Sequence, residues 1–278
     1  MSQDDVVGPW SEDKLRLLSK YLNAYTVIMQ DQQWCRNGYH YIDAFAGTGR
    51  SRARDEERYI DGSPRIALTV QRPFRSYTFI EKSSWRVQKL QRFQEEFPDR
   101  DIRIREGDCN RIIVTDITLH IRYERFNRGL IFLDPFGMDV EWSTIERIAE
   151  TRALEIFLNF PVMALNRTVL PNDPNALTQA QIERMNRYWG SIDWRDDIYE
   201  EVPTLFGPVP MKIRSTTGER LGRLFKNRLE EVFPYVTEPL LMTNSKNAPL
   251  YCLMLAGHNE VGAKIVQEIF GRYKRLGR

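Results

Sequence analysis

Between residues 39 and 160 the chain repeats one pattern: a short β-branched or aromatic run, an acidic residue at its end, then an amphipathic helical stretch. The pattern predicts strands over 39–44, 76–81, 101–106, 129–134 and 153–160, with helices over 63–72, 83–96, 109–123 and 141–151. Such apolar runs, alternating with helices, bury themselves as a parallel sheet covered on both faces, with right-handed crossovers. Ligands of such sheets gather beyond the carboxyl ends of the strands. Asp43, Glu81, Asp108 and Asp134 all fall there.

A helix over 10–30 comes first, with Ser11 as its N-cap and Leu15, Leu18, Tyr21, Leu22 and Tyr25 as its apolar stripe. After residue 162 the alternation stops. Residues 163–228 are polar and helix-biased, broken by Pro171, Pro174, Pro203, Pro208 and Pro210, and read as a helical insertion or cap. The sheet resumes with 238–244 and 249–256, an antiparallel pair, and a helix over 259–275 closes it. The expected division is an N-terminal helical segment 1–38, a Rossmann-like α/β core of 39–162 and 229–278, and the insertion 163–228. At 278 residues one large domain with an insertion can bury a full core.

Formal net charge is only +2, which excludes a globally polycationic nucleic-acid binder. The basic residues are nevertheless 31 Arg against 9 Lys, and arginine offers planar forks to phosphates and stacks on bases; genomic composition produces the same bias. Three scattered cysteines, Cys35, Cys109 and Cys252, give no metal-ligand spacing and no disulfide framework. No apolar run is long enough for a membrane span and no leader-like start is present, so the expected location is cytoplasmic, without membrane attachment.

The first strand runs into Tyr41-Ile-Asp-Ala-Phe-Ala-Gly-Thr-Gly49. A dinucleotide site wants a third glycine and an immediate helix; here Arg50, Ser51 and Arg52 follow, which disfavours a pyrophosphate ligand. Asp43, Phe45, Ala46, Gly47 and Gly49 instead resemble the first motif of class I S-adenosylmethionine methyltransferases, in a form frequent among nucleic-acid-modifying members. Glu81 suits two ribose hydroxyls, or equally caps the helix that starts at Ser83. Asp108, with Cys109 beside it, resembles the position that holds the adenine amino group, and it is also a natural N-cap.

Leu133-Asp-Pro-Phe-Gly137 resembles the fourth motif of amino-methyltransferases, without the second proline of its commoner form. The Asp134 carboxylate would accept an N–H from an exocyclic amine, Pro135 fixes the backbone, and Phe136 would stack on a base. The alternative is a buried turn with an Asp cap. The form lies close to that of tRNA guanine-N2 methyltransferases, which leaves guanine N2 and adenine N6 both open as targets.

Across nearly its full length the chain resembles the three-Cys-motif partner (TcmP) proteins. The matching segments are Lys20-Tyr-Leu, the Tyr41–Gly49 stretch, Gly62-Ser-Pro-Arg-Ile-Ala-Leu68, Phe79-Ile-Glu-Lys82 and Gly107-Asp-Cys-Asn110. Phe132-Leu-Asp-Pro-Phe-Gly-Met138, Glu141-Trp-Ser-Thr-Ile145, Asn159-Phe-Pro161, Asn166-Arg167 and Pro249-Leu-Tyr-Cys-Leu253 continue the match. This resemblance implies a methyltransferase-like fold and a partner carrying a cysteine triad of the radical-SAM kind; it implies no substrate.

Further candidates for substrate contact are Arg50, Gly137, Asn159 and Arg167. Arg50, Arg52, Arg54 and Arg58, interleaved with Asp55, Glu56 and Glu57, read as a solvated loop or a phosphate-gripping flap. Trp142, Trp189 and Trp194 read as packing, and the basic end (Arg272, Tyr273, Lys274, Arg275, Arg278) as a solubilising tail or a phosphate contact. Three functions compete. They are a methyltransferase acting on a base amine in DNA or RNA, a non-catalytic methyltransferase-like module serving nucleic-acid repair or processing, and, more weakly, a nuclease using the four carboxylates.

Overall fold

The computed structural model describes residues 6–30, 32–53, 58–205, 207–213 and 217–276; the expectations for Arg54, Asp55, Glu56, Glu57 and Arg278 lie outside these. In chain order, β1 (Val6–Val7) and α1 (Pro9–Met29) lead to β2 (Tyr39–Asp43), β3 (Arg50–Ala53), β4 (Tyr59–Asp61) and α2 (Ser63–Leu68). Next come β5 (Ser76–Glu81), α3 (Ser84–Glu96), β6 (Ile102–Glu106) and α4 (Cys109–Ile112), which a π-helical turn joins to α5 (Thr118–His120). β7 (Arg128–Leu133), α6 (Trp142–Glu150), β8 (Leu154–Phe160) and α7 (Val162–Thr168) follow. The middle segment holds α8 (Gln179–Trp189), α9 (Trp194–Ile198), β9 (Tyr199–Thr204), β10 (Gly207–Lys212) and α10 (Gly218–Glu230). β11 (Tyr235–Val236), β12 (Leu240–Thr243), β13 (Pro249–Gly257) and α11 (Glu260–Arg275) complete the chain.

The main sheet has the order β11-β13-β8-β7-β2-β5-β6, with β12 also pairing with β13. Strands β6, β5, β2, β7 and β8 are parallel, and β13 enters antiparallel to β8. This is the expected Rossmann-like sheet, with its C-terminal antiparallel pair. β11 and β12 lie end to end along the same edge of β13, Val236 facing Ala256 and Leu240 facing Leu253. Alternate residues of the central strands feed two separate cores. Tyr41, Phe79, Phe132 and Phe157 pack under α1, α2, α3 and α11, while Ile42, Ile80, Ile131 and Ile156 pack under α4, α6 and α10. Both faces are apolar because both are covered. Among the described residues no helix is long and apolar enough to cross a membrane.

Four local expectations are corrected. Helix α1 begins at Pro9 with Gly8 as its N-cap, so Ser11 lies inside the helix; proline is at home at the first helical position because it has no N–H to satisfy. The buried face of α1 is Lys14, Leu17, Leu18, Tyr21, Leu22 and Tyr25, and Leu15 is only half-buried. Within the charged stretch after Gly49, β3 pairs antiparallel with β4, and Arg58 ties this pair to Glu12 of α1 at 2.7 Å. The insertion is not purely helical: β9 and β10 form a ribbon that pairs Pro208 with Pro203. Prolines that interrupt a helix are tolerated on such a two-stranded ribbon, where every strand is an edge.

The three tryptophans pack as expected. Trp142 and Trp189 meet Phe225 edge-on, and Trp194 is wholly buried. Helix α10, although within 163–228, lies against β13 as one of the sheet's covering helices.

Candidate active site

Strand β2 and the turn after it set the first wall. Asp43 is fully buried at the end of β2, level with Phe79 of β5 and Phe132 of β7. Its carboxylate accepts hydrogen bonds from the Phe45 amide at 3.2 Å and the Tyr41 hydroxyl at 3.3 Å, and also from Ser63. Asp43 therefore acts by bracing the turn. Burial pushes its pKa up to about 7, against these hydrogen bonds and with the help of the nearby Asp134 charge.

That shift carries a sign. A carboxyl that titrates near 7 in the fold, against 3.8 ordinarily, binds its proton more tightly when folded. Its contribution to stability is complete below pH ~4 and is lost as pH rises to ~7, roughly 4 kcal/mol in all. Asp43→Asn cannot titrate. Its melting temperature should fall less than that of the wild type between pH ~5 and ~8, by roughly 10 °C. Equal pH dependence of the two melting curves would show that Asp43 is ionised throughout.

Glycines shape the turn itself. Gly47 and Gly49 take φ of +61° and +73°, a region that suits glycine. The Gly49 carbonyl accepts the Gly62 amide at 2.9 Å, and a Cβ at Gly62 would lie 2.8 Å from the Gly49 backbone. Two loops thus meet at van der Waals contact between glycines. The Gly47 amide in turn donates to Glu81 Oε2 at 3.0 Å, and the Ser83 amide to Glu81 Oε1 at 2.9 Å. Glu81 is buried, so both its oxygens serve backbone: one holds the glycine turn, the other the start of α3.

Beyond β7, Asp134 is gripped from two sides. Lys14 of α1 donates to its Oδ2 at 2.5 Å, and Asn159, at the end of β8, donates to its Oδ1 at 2.6 Å. Leu133 pairs with Leu158, so Asp134 and Asn159 leave adjacent strands at the same level. Asn159 is buried and its own Oδ1 has no hydrogen-bond partner, an acceptor left open beside the Asp134 carboxylate. Pro135 is buried, whereas Phe136 projects outward, 79% exposed, with the Arg86 guanidinium 5.9 Å from its ring centre.

The glycine turn, Asp134, Pro135, Phe136, Asn159 and the first turns of α1 all line one cavity of ≈350 Å³. Phe45, Ala46, Gly47, Gly49 and Arg50 belong to its lining, and Tyr251 of β13 closes it, donating from its hydroxyl to the Trp10 carbonyl at 2.6 Å. Asp43, Glu81, Asp108, Cys109, Gly137 and Arg167 are not among its lining residues. Asp108 caps α4 through the Arg111 amide, and Cys109 is buried, its thiol pushed up to about 12 chiefly by burial. Gly137 lies in the loop after Phe136, and Arg167 is exposed on α7.

Sequence reasoning passed over Lys14, Ser63 and Asn110. Asn110 donates to the Asp139 carbonyl and accepts from the Glu141 amide and the Thr144 hydroxyl, so it pins the loop that follows Phe136. For Lys14 a signal existed: it stands at i, i+3, i+4, i+7 with Leu17, Leu18 and Tyr21. A lysine on a buried stripe calls for a buried anion.

No family model matches the chain, and no curated protein matches it. Among solved structures it is similar to protein LPL1258 of Legionella pneumophila str. Philadelphia 1, of the family model DUF519, with 11% identity and a TM-score of 0.53 over 92% of this chain and 91% of that one. It is also similar to the N-terminal domain of EvdMO1 with SAH bound (12% identity, TM-score 0.43, 93% and 83% covered). A putative methyltransferase, yhhF from Escherichia coli, matches at 17% identity and a TM-score of 0.31 over 44% of this chain and 60% of that one. The first of these likenesses shows the fold.

Proposed function

We propose that this chain is an S-adenosylmethionine-dependent methyltransferase acting on an exocyclic base amine, guanine N2 or adenine N6, in DNA or RNA. One observation carries the reading: the glycine turn and the Asp134–Asn159 pair face a single cavity. The residues fit the cofactor. Gly47 adds no side chain where a Cβ would meet nothing within 4 Å, so its backbone is open to a ligand, and the volume suits a small-molecule site. When bound, S-adenosylmethionine supplies a methyl group on a positively charged sulfur.

The protein's own part is positioning and electrostatics. Asp134 accepts an N–H of the incoming amine and takes up the proton it gives away. Asn159 holds Asp134 in place and offers its free Oδ1 as a second acceptor. Two acceptors localise a lone pair that the base would otherwise delocalise. Lys14 already presents an amine nitrogen to Asp134, so the substrate amine takes a place at which the fold accommodates N–H donors. Phe136 offers its exposed ring to the base.

Stacking on an aromatic contributes about 1–3 kcal/mol per base. Phe136→Ala should therefore weaken binding of a single-stranded oligonucleotide roughly ten- to hundredfold by fluorescence anisotropy, with S-adenosylmethionine affinity unchanged. An unaltered affinity for the oligonucleotide would remove Phe136 from the substrate site. The function itself is tested by transfer of labelled methyl groups into RNA and DNA pools, followed by nucleoside mass spectrometry.

A second reading is favoured by the Lys14–Asp134 pair: a carboxylate neutralised by its own chain suits a non-catalytic, methyltransferase-like module. The resemblance to three-Cys-motif partner proteins adds a cysteine-triad, radical-SAM-like protein as the companion, with segment 163–228 as the cap that meets it or the substrate. A stable complex of the two purified proteins, together with nucleic-acid binding and no methyl transfer, is the outcome that selects this reading.

A further inference from the structure

A second and larger cavity, ≈520 Å³, opens at the opposite edge of the sheet, where β7 and β8 begin and β13 ends. Three aromatic side chains line it, Trp34, Tyr123 and Tyr235, and the first two, 36% and 48% exposed, form the wall beside Arg128. The Arg128 guanidinium lies 4.9 Å from the first ring centre and 4.3 Å from the second, and Arg152 lies 5.6 Å from Tyr123. Such stacking holds the rings and guanidinium groups in a fixed array.

Several groups here have bonding capacity left over. Among the described residues Arg152 has no ion pair, and its ring contact with Tyr123 leaves every guanidinium N–H free. His258 Nδ1 is buried and has no hydrogen-bond partner. At the floor, Glu155 is almost wholly buried and receives one hydrogen bond, from Tyr21 at 2.5 Å. Buried polar atoms are seldom left unsatisfied, so two such groups in one place point to a ligand that completes them.

Backbone strain marks the same place. Arg152 follows helix α6 with φ +53°, a conformation in which glycine is at ease and arginine is not. Arg152 is itself one of the residues that line the cavity. The positive end of α11 (Glu260–Arg275) adds to the field of Arg128 and Arg152, while the Glu260 carboxylate is paired with Lys264 at 2.8 Å.

A cationic rim, stacking walls and a deep carboxylate floor call for a planar nitrogen heterocycle that carries a phosphate. A simple anion would leave the rings and Glu155 unused, and a cation would meet two arginines. We propose that this cavity binds a nucleotide unit, with the base against Trp34 and Tyr123, a ring N–H or amino group on Glu155, and the phosphate on Arg152. The proposal stands independently of methyl transfer in the first cavity.

The test is calorimetric titration of the full chain with the common ribonucleoside 5′-monophosphates, their unphosphorylated nucleosides, inorganic phosphate and a short single-stranded oligoribonucleotide. Saturable binding of a monophosphate that exceeds that of its nucleoside and of phosphate is expected. Arg152→Gly, which also relieves the backbone, and Trp34→Ala should each weaken it at least tenfold while melting temperatures hold. Tighter binding of the oligonucleotide would identify a strand as the source, and tighter binding of the monophosphate a free nucleotide; either supports the site. Absence of saturable binding, binding unchanged in Arg152→Gly, or displacement of the nucleotide by S-adenosylhomocysteine would overturn it.

Discussion

Asp134→Ala should lose methyl transfer by roughly a thousandfold or more, while binding S-adenosylmethionine as the wild type does. The expectation follows from what the carboxylate touches. Its two oxygens accept from Lys14 and Asn159, whereas the glycine turn is braced separately by Asp43 and Glu81. Removing it strips the acceptor from the amine and leaves the cofactor wall intact. It also strands the Lys14 ammonium, whose side chain is only 10% exposed, at a cost of about 3–5 kcal/mol. A melting curve and a cofactor titration therefore accompany the activity measurement, to separate loss of chemistry from loss of fold. A variant that folds, binds cofactor and still transfers methyl groups would remove Asp134 from the mechanism.

Gly49→Ala should abolish measurable cofactor binding and destabilise the protein by on the order of 3 kcal/mol. A Cβ at this position would lie 2.3 Å from the Phe93 ring, and φ there is +73°. Phe93 cannot give way freely, because it is buried and packed edge-on against Phe79 and tilted against Phe97. The turn would have to move instead, and with it the Gly62 contact and the Gly47–Glu81 hydrogen bond. Gly47→Ala is the control. Its Cβ meets no atom within 4 Å, so only the positive φ opposes it, about 1 kcal/mol. Equal losses of stability in the two variants, read from denaturant unfolding, would contradict this account of the turn.

Much of this architecture was legible in the chain. Each parallel strand lies within a residue or two of its expected span, because strands buried on both faces declare themselves as short apolar runs between helices. The parallel sheet followed from that alternation, and the antiparallel pair from the two strand-like runs on either side of Asn244-Ser-Lys-Asn-Ala248; the strand order came only with the fold. Residue type and strand position did not reveal which oxygens were already spent. Asp43 and Glu81 read as ligand contacts, yet both make hydrogen bonds to the backbone of the turn. Lys14 gave one signal, its place on the buried stripe of α1, but its partner Asp134 appears only in the fold. The hairpin of β9 and β10 escaped because its prolines, read as helix breakers, are harmless on a free strand edge. At the helix that follows Thr178, a capping box with Gln181 was present in the sequence and went unread.

The central claim is that one cavity, between the glycine turn and Asp134, takes the cofactor and presents its methyl group to an amine. A crystal structure of the chain with S-adenosylhomocysteine tests it most directly. The account predicts the ligand against Gly47 and Gly49, its sulfur turned towards Asp134 and Asn159. A ligand found elsewhere on the chain, or no binding at saturating concentration, would contradict it.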